Sequence, residues 1–118
     1  MRDLRVNNEK VMSLVKECVA ALAKDVFVEK VILFGSFARG TGTIDSDIDL
    51  IVVMSTNEPK PTRAIQLLKY FDNISHDVNI DVITPKEWSR KVSDPGFLTA
   101  TILSEGIVLF NNSERTLA

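Results

Sequence analysis

Only one cysteine, Cys18, is present among 118 residues, so no disulfide can close within the chain. Its setting among apolar residues suits a small buried hydrophobe better than a nucleophile or metal ligand. A single histidine, His76, rules out a cluster of His and Cys ligands and reads as a polar loop residue before Asp77. No apolar run approaches the roughly 20 residues that span a bilayer, and the charged start Met1-Arg-Asp-Leu-Arg5 leads into no secretion-type apolar segment. A cytoplasmic protein is therefore expected. Positive charge is not in excess either: 14 Lys and Arg face 16 Asp and Glu, a net charge of −2. With its basic residues scattered, the chain lacks an extended grip on a nucleic-acid backbone, and any phosphate must be handled locally. Repeats and low-complexity tracts are missing, and Pro59-Lys-Pro61 reads as a loop, not a linker.

What is present is a composition that is 45% hydrophobic, enough for one compact domain over 1–118 that buries roughly two-thirds of its unfolded surface. Residues 111–118 read as a frayed polar tail. Val11, Leu14, Val15, Cys18, Val19 and Leu22 recur at helical spacing and predict an amphipathic helix over 8–24, capped by Asn7 or Asn8. Strands are expected from Val28 to Phe34 and from Ile48 to Val53, with a glycine-rich turn between them that opens a short helix at Ser36. Ile65, Leu68, Phe71 and Ile74 predict a helix over 62–75, and Val78, Ile80 and Val82 alternate as a third strand. Thr84-Pro85-Lys86-Glu87 carries a threonine cap, a proline at the first helical position and a glutamate placed for a capping box. Asp94-Pro95 is expected to start a last helix that Gly106 ends, and Ile107 to Phe110 a final strand. The expected class is α+β, a small mixed sheet with helices packed mainly on one face.

Chemistry concentrates in Gly35-Ser36 and Asp45-Ser-Asp47-Ile-Asp49. Side chains two apart on a strand share a face, so Asp47 and Asp49 form a carboxylate pair while Ile48 and Leu50 enter the core. Alternation on the third strand puts Asn79, Asp81 and Ile83 on one face, and Asp81 can join the pair. Bare charges about 4 Å apart repel by roughly 4 kcal/mol at an effective dielectric of 20, so such a cluster calls for cations. Hard oxygen ligands with open positions suit Mg²⁺. Gly35 allows close backbone approach to a ligand, and Ser36 offers a hydroxyl to phosphate oxygens. Ten residues separate Ser36 from Asp47, enough to fold the turn back beside its own strand.

Other motifs fail at particular residues. Gly35 to Gly40 has P-loop spacing, but Thr41 stands where lysine belongs, and Gly40-Thr-Gly42 lacks the third dinucleotide-binding glycine, which would fall at Asp45. An EF-hand loop starting at Asp45 would have Leu50 at its glycine position and Thr56 at its glutamate position. Arg39 either neutralises phosphate or pairs with Asp45. Tyr70, Phe71 and Trp88 are most economically packing residues.

Gly-Ser, ten residues and then Asp-x-Asp resembles the signature of the minimal nucleotidyltransferases of the DNA polymerase β-like superfamily. The likeness extends over nearly the whole chain, through the acidic strand Val78-Asn-Ile-Asp81-Val-Ile and the ending Glu105-Gly-Ile-Val-Leu-Phe110. It implies a fold of that kind and transfer of a nucleoside monophosphate from a triphosphate. It also implies two Mg²⁺ ions on Asp47, Asp49 and Asp81, with Asp81 the possible base, and Gly35, Ser36 and Arg39 on the triphosphate. Domains of this kind stand beside HEPN-type ribonuclease toxins and act as antitoxins that add AMP to them, which would make ATP the donor and a protein the acceptor. Occlusion of the toxin without catalysis is the alternative reading. Transfer to a small molecule comes last, since nothing resembles the extra domain that holds such acceptors.

Overall fold

The fold was analysed in a computed structural model that describes residues 4–112. Helix α1 spans Asn8–Asp25 and buries Val15, Cys18, Val19, Leu22 and Ala23, the 3- and 4-residue spacing of one helical stripe. Asn7 is its cap, accepting a hydrogen bond from the Lys10 N–H at 3.0 Å. Asn8 instead reaches across to the glycine turn. Its side-chain amide donates to the Gly42 carbonyl at 3.1 Å and its Oδ1 accepts from the Gly42 N–H at 2.9 Å. Gly42 is required there, because a Cβ would run into the ring of the buried Phe37.

Strand β1 (Lys30–Phe34) leads into the short helix α2 (Ser36–Arg39), and β2 (Ile48–Val53) returns beside it. After β3 (Val78–Ile83) come α3 (Pro85–Ser93), α4 (Phe97–Glu105) and β4 (Ile107–Asn111). The sheet order is β3-β2-β1-β4. β1 is antiparallel to both β2 and β4, whereas β2 and β3 run parallel, joined by a crossover. This is the mixed α+β sheet that the sequence predicts. Of the expected tail, Asn111 belongs to β4 and the Asn112 N–H donates to the Glu29 carbonyl at 2.9 Å; residues 113–118 lie outside the described residues.

Two clusters cover the sheet. The larger packs α1 on Val31, Leu33, Ile48, Leu50, Val52 and Val82. The smaller joins Ile32, Ile51, Val53, Ile83 and Ile102 on the other face, with Phe34 and Trp88 against it. Trp88 is thus a packing residue. Cys18 is buried, its Sγ 3.4 Å from Asn73 Oδ1, and burial followed by the nearby Glu17 charge pushes its thiol up, away from a reactive thiolate.

The helix expected over 62–75 is two 3₁₀ segments, Lys60–Thr62 and Ile65–Phe71. Within this stretch Leu67, Phe71 and Ile74 are buried, whereas Ile65 and Leu68, two of the residues expected on the apolar stripe, are exposed. Arg63 lies between the two segments, and its side chain donates to the Glu58 carbonyl at 2.9 Å, the Val82 carbonyl at 3.2 Å and Glu87 Oε1 at 2.7 Å. Helix α4 begins after Gly96, not at Asp94-Pro95, because the Asp94 N–H closes α3 on the Arg90 carbonyl.

The capping box of α3 forms as the sequence predicts, with Thr84 Oγ1 accepting from the Glu87 N–H and Glu87 Oε1 accepting from the Thr84 N–H. That backbone donor, and then Arg63, lower the Glu87 carboxyl from its ordinary 4.5 to about 2. A carboxyl depressed in the folded state adds stability that is present above its unfolded value and lost as the pH falls through the folded one. The stability difference between the parent protein and Glu87→Gln should therefore hold constant above about pH 5 and shrink between 4.5 and about 2, as followed by urea unfolding across that range.

Candidate active site

Gly35 follows the last residue of β1 with φ +81° and ψ −161°, a region essentially restricted to glycine. Ser36 and Phe37 then start α2, which Gly40 ends in the left-handed conformation. A compact turn sends the chain back: the Thr43 N–H donates to Ser46 Oγ at 2.9 Å and the Ser46 N–H to the Thr43 carbonyl at 3.0 Å. His76 locks this turn from the loop before β3. Its Nδ1 lies 3.0 Å from the Ser46 carbonyl, which requires the proton on Nδ1, and its ring meets Phe37 edge-on at 4.9 Å. Asp47 follows Ser46 and β2 begins at Ile48, so the turn sets where Asp47 and Asp49 emerge.

Asp49 lies opposite Phe34 on β1 and opposite Asn79 on β3. These positions are on the sheet face of the smaller cluster, beyond its end, where the apolar residues run out. Asp47 is exposed and Asp49 half-buried. Asn79 Nδ2 donates to Asp47 Oδ2 and to Asp49 Oδ1, both at 3.1 Å, so one amide joins the two carboxylates. The other oxygen of Asp49 faces the glycine turn: a Cβ added at Gly35 would stand 2.6 Å from Asp49 Oδ2. The Gly-Ser turn and the acidic pair, ten residues apart in sequence, are therefore in contact.

Asp81 is exposed on β3, on the same face as Asn79, and pairs in register with Ile51, two residues beyond Asp49. Among the described residues no three His, Cys, Asp or Glu side chains gather closely enough to hold a metal ion. The structure thus brings together Gly35, Asp47 and Asp49, with Ser36 next in the chain, and leaves Asp81 at the margin. Arg39 Nη1 lies 3.4 Å from Glu105 Oε2, with both side chains nearly half exposed, so its ion-pair partner among the described residues is Glu105 on α4. Such pairs contribute about 0–1 kcal/mol, which leaves Arg39 available to an anion. Asn79 is the site residue that motif reasoning passes over. Alternation places it on the face of Asp81, but its role depends on the parallel register of β2 and β3.

The chain matches the family described as "Polymerase beta, Nucleotidyltransferase" over residues 16–115, and it belongs to that family. It is a nucleotidyltransferase. A candidate protein adenylyltransferase of Methanocaldococcus jannaschii is 35% identical over 82 residues, covering 65% of this chain and 81% of that protein. Among solved structures, a candidate nucleotidyltransferase from Sulfolobus solfataricus superposes with a TM-score of 0.63 at 22% identity, covering 91% of this chain and 86% of that one. A chain of the MntA-HpeT toxin-antitoxin crystal structure superposes with a TM-score of 0.53 at 19% identity, covering 94% and 77%. No helix among the described residues is long and apolar enough to cross a membrane.

Two outcomes follow from the contacts of Asp49. Gly35→Ala should cost about 1–3 kcal/mol in denaturant unfolding, because the added methyl meets both a glycine-only backbone conformation and the Asp49 carboxylate. Asp49→Asn removes one of two adjacent charges while keeping an acceptor for Asn79. It should leave the melting temperature, followed by circular dichroism, unchanged or higher.

Proposed function

We propose that this nucleotidyltransferase transfers AMP from ATP to a hydroxyl of a protein partner, and that the partner is a HEPN-type ribonuclease toxin neutralised by the transfer. The observation that carries this reading is the contact between the Gly35-Ser36 turn and the Asp49 carboxylate, which sets a phosphate-binding turn against an acidic pair. The protein adenylyltransferase name of the archaeal relative supports AMP and a protein acceptor, and the toxin-antitoxin neighbour suggests the partner.

The acidic pair suits a hard divalent cation. Asp47 and Asp49 present only oxygen donors, and the neutral amide between them leaves their charge unneutralised. Mg²⁺ commonly takes one or two protein carboxylates and completes its shell with water and substrate phosphates, so the pair suffices for a first ion. Asp47 and Asp49 would hold the ions, with Asp81 as a further ligand from β3. Two Mg²⁺ ions, when bound, would supply the positive charge that offsets the triphosphate and the departing pyrophosphate.

The chain's own residues position and relieve charge. Gly35, lacking a side chain, lets the triphosphate approach the backbone, and the Ser36 hydroxyl donates to a phosphate oxygen. Arg39 leaves Glu105 for the phosphate chain. The acceptor oxygen attacks the α-phosphorus, the bond from that phosphorus to the bridging oxygen of the β-phosphate breaks, and pyrophosphate departs. Asp81, exposed on the open face, takes the proton of the attacking hydroxyl. ATP as donor implies a cytoplasmic setting.

A second reading, occlusion of the partner without catalysis, draws on the apolar surface of α4, where Phe97 is 90% and Leu98 63% exposed. One experiment separates the two. The purified chain, Mg²⁺, ATP and the product of the adjoining reading frame should yield an AMP-sized mass increase on that product. Asp49→Asn should lower the rate at least about a hundredfold, since charge stabilisation by a cation is worth several kcal/mol. Full neutralisation by folded Asp49→Asn with no mass increase would establish occlusion.

A further inference from the structure

Two like charges next to each other on one strand repel, and unaided their side chains would splay toward solvent. The group that meets both is Asn79. Its Nδ2 lies 3.1 Å from Asp47 Oδ2 and 3.1 Å from Asp49 Oδ1, so each amide hydrogen serves one carboxylate. The orientation of this amide is fixed by chemistry: turned over, its carbonyl oxygen would face two anionic oxygens. The reach is fixed by register, since Asn79 is level with Asp49 on the parallel strand and the short side chain spans both positions. On its far side Asp49 Oδ2 lies 2.6 Å from where a Cβ at residue 35 would stand, so Gly35 leaves the room that the carboxylate takes.

We propose that Asn79 is a positioning residue for cation binding, holding Asp47 and Asp49 aligned before any cation arrives; this rests on the reading of the pair as a cation site. The residue type is the one that can do this. Valine or isoleucine, ordinary strand residues, have no donor. Aspartate would add a third charge. Lysine would cancel one of the two charges permanently and take the cation's place. A neutral donor with two hydrogens aligns the carboxylates and leaves their charge and remaining lone pairs available.

The test is Mn²⁺ binding to the full chain, read from the loss of the free-ion electron paramagnetic resonance signal and repeated for each variant. Asn79→Ala should weaken binding about tenfold, the lower end of what loss of a ligand-orienting hydrogen bond costs a metal site. Asn79→Ser, with one hydrogen to give, should fall between Ala and the parent, and Asn79→Lys should bind no Mn²⁺. Circular dichroism melting shows that each variant is folded; Asn79 is exposed, and a folded Ser variant carries the test if the Ala variant does not fold. Mn²⁺ binding by Asn79→Ala as tight as or tighter than the parent would overturn the positioning role alone, because the amide would then be idle or a competitor. Mn²⁺ binding absent from the parent, or unchanged by Asp49→Asn, would overturn that role together with the acidic site.

Discussion

The candidate site keeps two negative charges side by side with neutral groups alone. Asp47, just before β2, and Asp49 within it share a face; one amide from β3 donates to both, and the bare Gly35 at the end of β1 leaves room for the Asp49 carboxylate. Neither group neutralises charge. Oxygen donors that share a face and keep their charge are the kind of ligand set that a hard cation takes.

The fold supplies this through strand order. With β2 between β1 and β3, the first residues of β2 are flanked on one side by the Gly-Ser turn and on the other by Asn79. Buried Ile48 and Leu50, alternating with the two aspartates, fix which face the carboxylates take, because a one-residue slip would drive the aspartates into the core. The smaller cluster covers only part of that face, and beyond its end the acidic pair is open. Asn8, clamped to both backbone groups of Gly42, and His76, set against Ser46 and Phe37, hold the returning turn from two sides. The loop connecting the two halves of the motif is thus tied to α1 and to the approach to β3.

Much of this was legible in the sequence wherever a local rule decides the outcome. The capping box at Thr84 and Glu87, the alternation of β3 and the shared face of Asp47 and Asp49 follow from neighbours within four residues. The 3₁₀ segments were not legible: of the apolar set Ile65, Leu68, Phe71 and Ile74 the first two are exposed, and Leu67, outside that set, is buried. What no local rule contains is cross-strand register. The bridge from Asn79 to Asp47 and Asp49, the pairing of Arg39 with Glu105 and the reach of Asn8 to Gly42 join residues 32 and 30, 66, and 34 positions apart. Asp81 illustrates the same limit, since alternation gives its face while register places it beside Ile51, one step along from the pair.

The most direct measurement is anomalous diffraction from crystals grown with Mn²⁺ and a non-hydrolysable ATP analogue. The account predicts a manganese peak coordinated by Asp47 and Asp49, with the analogue's phosphates beside Ser36. Manganese bound elsewhere, or an analogue seated away from the Gly35-Ser36 turn, would contradict it.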